Sequence, residues 1–207
     1  MKREFKFYGW DSCDVSPVNE DYDVIADPKE MYVILTEIWS KDTCAPRLRD
    51  GWSKENMTLG QCSITAFLVQ DVFGGEVYGI PREGGNFHCY NVVDGHVFDL
   101  TSEQFGDEVL SYEGNPEQLR EDHFASAEKY ERYKLLKSGF DKLVQKHRQL
   151  KLIDGAARGD INAAAGLARG YFDGSFGEVN KAKAKKWASY AAKHGSVEAQ
   201  ELLSKLG

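Results

Sequence analysis

The spacing of apolar and polar positions divides the chain into a mixed N-terminal part and a helical C-terminal part. Asp27-Pro28-Lys29-Glu30 supplies an N-cap, a proline at the first helical position and an acid in the first turn, and Met31, Ile34, Leu35, Ile38 and Trp39 follow at helical spacing. An amphipathic helix ending near Ser40 is expected. Cys44 to Asn56 is loop-like, and Thr58 to Gln61 forms the pattern of a capping box opening an apolar helix from Ile64 to Phe73, stopped by Gly74 and Gly75. Three short β runs come next, at Glu76 to Ile80, Phe87 to Val93 and His96 to Thr101, with Asp94-Gly95 as a two-residue hairpin turn between the last two. Residues 1–27 alternate Phe5, Phe7, Tyr8 and Trp10 with acids and turn formers, which predicts a strand or two with an irregular connection. Beyond Ala125 only helical patterns occur, beginning with Glu128 to Leu152, which reads as one long charged helix or as two with a break near Gly139.

Gly159, Ala163 and Leu167 return as Gly195, Ala199 and Leu203, a period of 36 residues. With Ala156-Ala157, Leu167-Ala168, Tyr171, Gly174, Trp187 and Ala191-Ala192, this pattern resembles a Sel1-like repeat, a relative of the tetratricopeptide array. The match covers about one and a half repeats, and the resemblance implies a module for packing or protein interaction. The expected organisation is an extension over 1–27, a mixed domain over 28–124, a connecting helix over 125–153 and the repeat over 154–207.

The formal charge of −7 conceals a step: residues before Phe124 carry net −14 and those from Phe124 onward net +7. That argues against nucleic-acid binding by the N-terminal part. The opening MKREFKFYGW has no apolar secretion-signal core and no stretch is long enough to span a bilayer, so a cytoplasmic protein without membrane attachment is expected. Cys13, Cys44, Cys62 and Cys89 lie 31, 18 and 27 residues apart, which matches neither a zinc site nor a dense disulfide framework. A metal set of His88, Cys89 and His96 is disfavoured, since adjacent strand residues point to opposite faces. Neither metal nor cofactor is expected, and His123, His147 and His194 read as surface residues.

Cys62 follows Gln61 at a helix start, where unsatisfied amides and the helix dipole favour a thiolate. With Asp94 and Gly95 as the turn, facing positions of the hairpin place His88, Tyr90 and Asp99 on one face, with His88 and Asp99 as diagonal neighbours. The opposite face, with Phe87, Cys89, Val93, Phe98 and Leu100, reads as core, and Asn91 on that side as structural. An imidazole oriented by a carboxylate is the base a cysteine nucleophile needs. The amide of Cys62, with Asn56 or Gln61, is a candidate oxyanion donor, and Trp52 and Tyr90 are candidates to line a substrate cleft.

The order Cys62, His88, Asp99 resembles the papain-like superfamily, including its transglutaminase-like branch. Trp52, Gly60-Gln61-Cys62, Thr65-Ala66, Gln70-Asp71-x-Phe73-Gly74-Gly75, His88-x-Tyr90-Asn91 and Asp99-Leu100-Thr101-x-x-Gln104-Phe105 are similar, more closely, to the YunG-like family of bacterial proteins, over roughly residues 29–137. Ser63 stands where that family more often has alanine, and Cys89 where an aromatic is more usual. The resemblance implies an α+β papain-like domain, a helix packed on an antiparallel sheet, followed by the all-α Sel1-like segment. It also implies Cys62 as nucleophile, His88 as general base and Asp99 as its orienter in a thiol hydrolase or acyl transferase acting on an amide, isopeptide or ester. The expected substrate is protein or peptide-like, with a protein partner for the tail. The alternative is an inactive papain-like fold that serves, with its tail, as a protein-binding module.

Overall fold

A computed structural model describes residues 6–207. The chain forms two compact units, residues 1–141 and 142–207; Phe5 lies outside the described residues. The division falls inside one long helix, between the boundaries expected at 124 and 153.

In the first unit, α1 (Pro28–Thr36) begins as its sequence dictates. The Asp27 carboxylate accepts from the Glu30 amide at 2.9 Å, and the Glu30 side chain accepts from the Ala26 amide. The helix ends at Thr36, short of Ser40, and a tighter turn then carries Trp39 into full burial, where its indole donates to Thr65 at 3.0 Å. The next helix, α2 (Cys62–Phe73), starts later than the capping-box pattern implies. Its N-cap is Gln61, which makes no side-chain capping bond, and Thr58 instead accepts the Gln61 amide in a preceding turn. Cys62 is therefore the first helical residue, at the strongest point of the dipole.

Gly74 and Gly75, both at positive φ, reverse the chain into β1 (Glu76–Arg82). β1 pairs antiparallel with β2 (Asn86–Val93), which pairs antiparallel with β3 (His96–Phe98), giving the order β1-β2-β3. The β2–β3 register is Asn91 opposite Phe98 and Val93 opposite His96, as a two-residue Asp94-Gly95 turn requires. β3 is shorter than the pattern indicated: at Asp99 the chain leaves β2 and bridges Tyr8, whose carbonyl accepts the Asp99 amide at 3.0 Å. That bridge is the extended pairing found within residues 6–27, which otherwise hold only a short helical turn at Glu20–Tyr22. The strands expected there do not form. The packed faces of α2 and β2 are fastened by Asn91, whose side-chain amide donates to the Ala66 carbonyl at 2.9 Å.

α3 (Arg120–Phe124) and α4 (Ala127–Ala157) follow, and α4 runs without a break at Gly139. Gly139 is there for close approach: a Cβ on it would stand 2.6 Å from Ile38. In the second unit, α5 (Ile161–Asp173), α6 (Lys181–Lys193) and α7 (Val197–Leu206) enclose a core of alanines and Leu167. The 36-residue period recurs in the fold. Gly159 and Gly195 both take positive φ, Asp160 and Ser196 both cap the following helix, and Ala163 and Ala199 are both buried. The whole is α+β with a helical C-terminal part. Among the described residues no helix is long and apolar enough to cross a membrane.

Candidate functional site

His88 and Asp99 meet in the interior of the first unit, each at most 2% exposed, with Nε2 of the imidazole 2.5 Å from Oδ2 of the carboxylate. Asp99 is held from all sides. Its Oδ1 accepts from the amide and hydroxyl of Thr101 at 2.9 and 3.0 Å, and its Oδ2 also accepts from the Tyr112 hydroxyl at 3.0 Å. A carboxylate with four donors is held in one orientation where water cannot reach it. The Phe105 ring edge-packs against the imidazole at 4.6 Å and fixes its tilt. Nδ1, the other ring nitrogen, is buried and has no hydrogen-bond partner among the described residues.

Cys62 stands beside that ring. Its Sγ is 3.9 Å from the Phe87 carbonyl, and it lines one cleft together with His88 and Cys89. The Cys62 thiol is held well below its ordinary range, most by the neighbouring Cys89 thiol, against the opposing effect of burial, and further by the neighbouring His88 imidazole. Cys89 is pushed up correspondingly, by the same contact and by burial. For His88, burial disfavours the imidazolium, but the charge and hydrogen bond of Asp99 and the neighbouring Cys62 sulfur together raise it to about 10. Both shifts run toward a Cys62 thiolate facing a His88 imidazolium. Cys13 and Cys44 are buried and both shifted upward, chiefly by that burial.

Other expected residues are placed differently. Cys89 is buried as expected, yet it also lines the cleft that holds Cys62 and is not simply packing. Phe87, expected in the core, is exposed at the cleft rim. Gln61 is fully buried with its amide nitrogen donating to the Ser40 carbonyl at 2.9 Å; what it leaves unpaired is Oε1, an acceptor, which cannot serve an oxyanion. Asn56 lies in a turn paired with Ser53, outside the cleft lining. Trp52 donates to the Met57 carbonyl, and Tyr90 is buried with its hydroxyl donating to the Tyr112 carbonyl; neither lines the cleft. The first-turn amides of α2, free of any side-chain cap, are the donors that remain beside Cys62.

Three residues that sequence reasoning missed belong to the site. Tyr112 comes from the loop after β3 and Phe105 from the helical turn Ser102–Phe105, and no periodicity announces either. His123, expected at the surface, lines the cleft with Nε2 buried and unpartnered. Burial, reinforced by the charge of Lys129, lowers it to about 4, so it is neutral. The remaining histidines stand apart: His96 bonds the Ser12 carbonyl through Nδ1 at 2.5 Å, and His194 is exposed against Tyr190. No group of three or more metal-ligating side chains gathers among the described residues.

Cys62, His88, Asp99 and Tyr112 all fall within residues 27–145, the span matched by the family described as YunG protein. A protein of Bacillus subtilis (strain 168), described as the uncharacterized protein YunG, is 34% identical over 109 residues, which is 53% of this chain and 87% of that protein. No solved structure matches the chain. On the family match and this relative, the chain belongs to the YunG family.

Proposed function

We propose that the first unit is a cysteine-dependent hydrolase or acyl transferase of papain-like type, acting on an amide, isopeptide or ester carbonyl. The observation that carries this reading is the buried His88–Asp99 pair at 2.5 Å, whose remaining ring nitrogen has no other partner and lies beside a cysteine at the first position of a helix. A buried imidazole and carboxylate cost desolvation energy that an apolar pair of equal size does not, and the cost is understandable if the pair serves chemistry.

In the proposed mechanism the Cys62 thiolate attacks the carbonyl carbon, and the developing oxyanion is received by the first-turn amides of α2. His88, protonated at Nδ1, gives that proton to the leaving amine or alcohol as the tetrahedral intermediate collapses to a thioester. In the second half His88 takes a proton from the incoming water or amine, and collapse of the second tetrahedral intermediate expels the Cys62 thiolate, which restores the starting thiolate and imidazolium. Asp99 keeps Nε2–H oriented and favours the imidazolium throughout. The second unit, read as a Sel1-like packing module, is the surface proposed for a protein partner.

The test is acylation by p-nitrophenyl acetate. A burst of p-nitrophenolate with an acetyl group on Cys62, located by peptide mass spectrometry, is the expected result. Cys62→Ala should abolish the adduct, and His88→Ala should slow its formation by roughly 10²–10⁴-fold. Acetylation spread evenly over exposed lysines, with none on Cys62, would sink the proposal.

A further inference from the structure

The charge around Cys62 does not follow the charge of the unit that holds it. Residues 1–141 contain 14 Lys and Arg against 27 Asp and Glu. The cleft of about 1010 Å³ reverses the balance: Arg47, Arg82, Lys129 and Arg132 line it, against Glu83 and Glu128.

These charges are not equally available. Arg82 is held by Glu108 through a two-pronged contact at 2.7 and 3.1 Å, and its guanidinium lies over the Phe105 ring that steadies His88. Arg132 is buried, paired with Glu128 and donating to the Thr43 carbonyl at 3.1 Å. Both are structural. Arg47, on the helical turn Pro46–Gly51, and Lys129, in the first turn of α4, have no ion pair or hydrogen bond among the described residues. Arg47 is exposed and Lys129 half-buried, so each can meet a bound molecule at little cost in desolvation. The Lys129 charge already acts on Cys89 and His123, which line the same cleft as Cys62. Glu83 is the exposed acid that opposes them.

From this inversion, which deepens the hydrolase reading and rests on it, we infer that the cleft selects an acyl donor carrying a carboxylate near the scissile carbonyl, with Arg47 and Lys129 as the residues that recognise it. The surplus of positive charge is small, which suits a singly charged carboxylate better than a doubly charged phosphate. The surrounding acidic surface repels anions in general, so a carboxylate that enters is held only where these two cations face it.

The test uses two reagents of nearly equal size and opposite behaviour in an electric field, iodoacetate and iodoacetamide. Each transfers a carboxymethyl or carbamoylmethyl group to the Cys62 sulfur with release of iodide. The readout is the ratio of their rates at Cys62 in the full-length protein, compared with the ratio for N-acetylcysteinamide. Wild type is expected to favour iodoacetate, and Arg47→Gln with Lys129→Gln should cut the ratio about three- to tenfold; both reagents need the same thiolate, so a change in its population cancels in the ratio. Raising the salt concentration should do the same to wild type. Because His88 is present in both proteins, its own charge cancels in the comparison. A ratio unaltered by the double substitution overturns the carboxylate inference and leaves the cysteine reading standing. A Cys62 inert to both reagents overturns the cysteine reading, and the inference with it.

Discussion

Asp99 offers two oxygens to four donors, and that arrangement has a thermodynamic signature in the residues it serves. His88 is raised from an ordinary 6.5 to about 10, whereas Cys62 is lowered from an ordinary 9.0. Wherever the folded pair is imidazolium with thiolate and the unfolded pair is neutral, the two hold the same single proton. The pair then gives stability no slope with pH. Below the ordinary histidine value the unfolded chain binds one proton more, so stability falls as pH falls. Above the ordinary cysteine value the folded chain holds the extra proton until His88 titrates, so stability falls as pH rises. Cys62→Ala removes the compensation and leaves His88 raised by Asp99 alone. Its contribution should be complete below pH 6.5 and decline as pH rises toward the folded value. The difference in urea midpoint between variant and wild type, followed across that range, should drift downward with pH; a level difference would contradict the ion pair.

At the scale of elements, the site is made by three chain reversals that bring one helix start against one hairpin. Gly74 and Gly75 return the chain from α2 into β1, and a side chain on Gly75 would strike the Val92 carbonyl and stand 2.9 Å from Val93 Cα. With φ at +72° as well, Gly75→Ala should destabilise the protein by about 2–4 kcal/mol in urea unfolding. A cost below about 1 kcal/mol, the scale of an ordinary surface change, would mean the turn relaxes freely. Asp94-Gly95 fixes the β2–β3 register. This part was legible from sequence, because two-residue turns and period-two alternation are local rules: Asn91 opposite Phe98 follows from the turn alone. What was not legible is non-local. That Asp99 leaves β2 to bridge Tyr8, and that Tyr112 reaches back to Asp99, are contacts over long loops that no spacing encodes. The Thr58–Gln61 box misled for a related reason. Gln61 is drawn into the interior toward the Ser40 carbonyl, and that tertiary bond outweighs a capping interaction worth about 1 kcal/mol. The charged neighbourhood that makes His123 look exposed is real in sequence, but the ring turns inward against Phe67 and Phe124.

At the scale of the whole molecule, the two units differ in how their cores are built. The first is a mixed core with full-sized aromatics such as Trp39, Phe67, Phe73 and Phe98, and the second is packed chiefly from alanines on paired helices. Four thiols are distributed through the first unit, and only Cys62 is both partly exposed and lowered. Burial holds Cys13 and Cys44 up, and Cys89 is raised by its contact with Cys62. The most direct test of a Cys62–His88–Asp99 nucleophile is therefore the pH dependence of iodoacetamide labelling at each cysteine, resolved by peptide mass spectrometry, in wild type and in His88→Ala. An Asp99→Asn variant serves as a second probe if His88→Ala folds poorly. Cys62 should label selectively well below about pH 8, and either substitution should move its profile up toward that of an ordinary thiol. Labelling of Cys62 that follows an ordinary thiol in wild type, or that neither substitution alters, would contradict the account and leave the buried His88–Asp99 pair as structure alone.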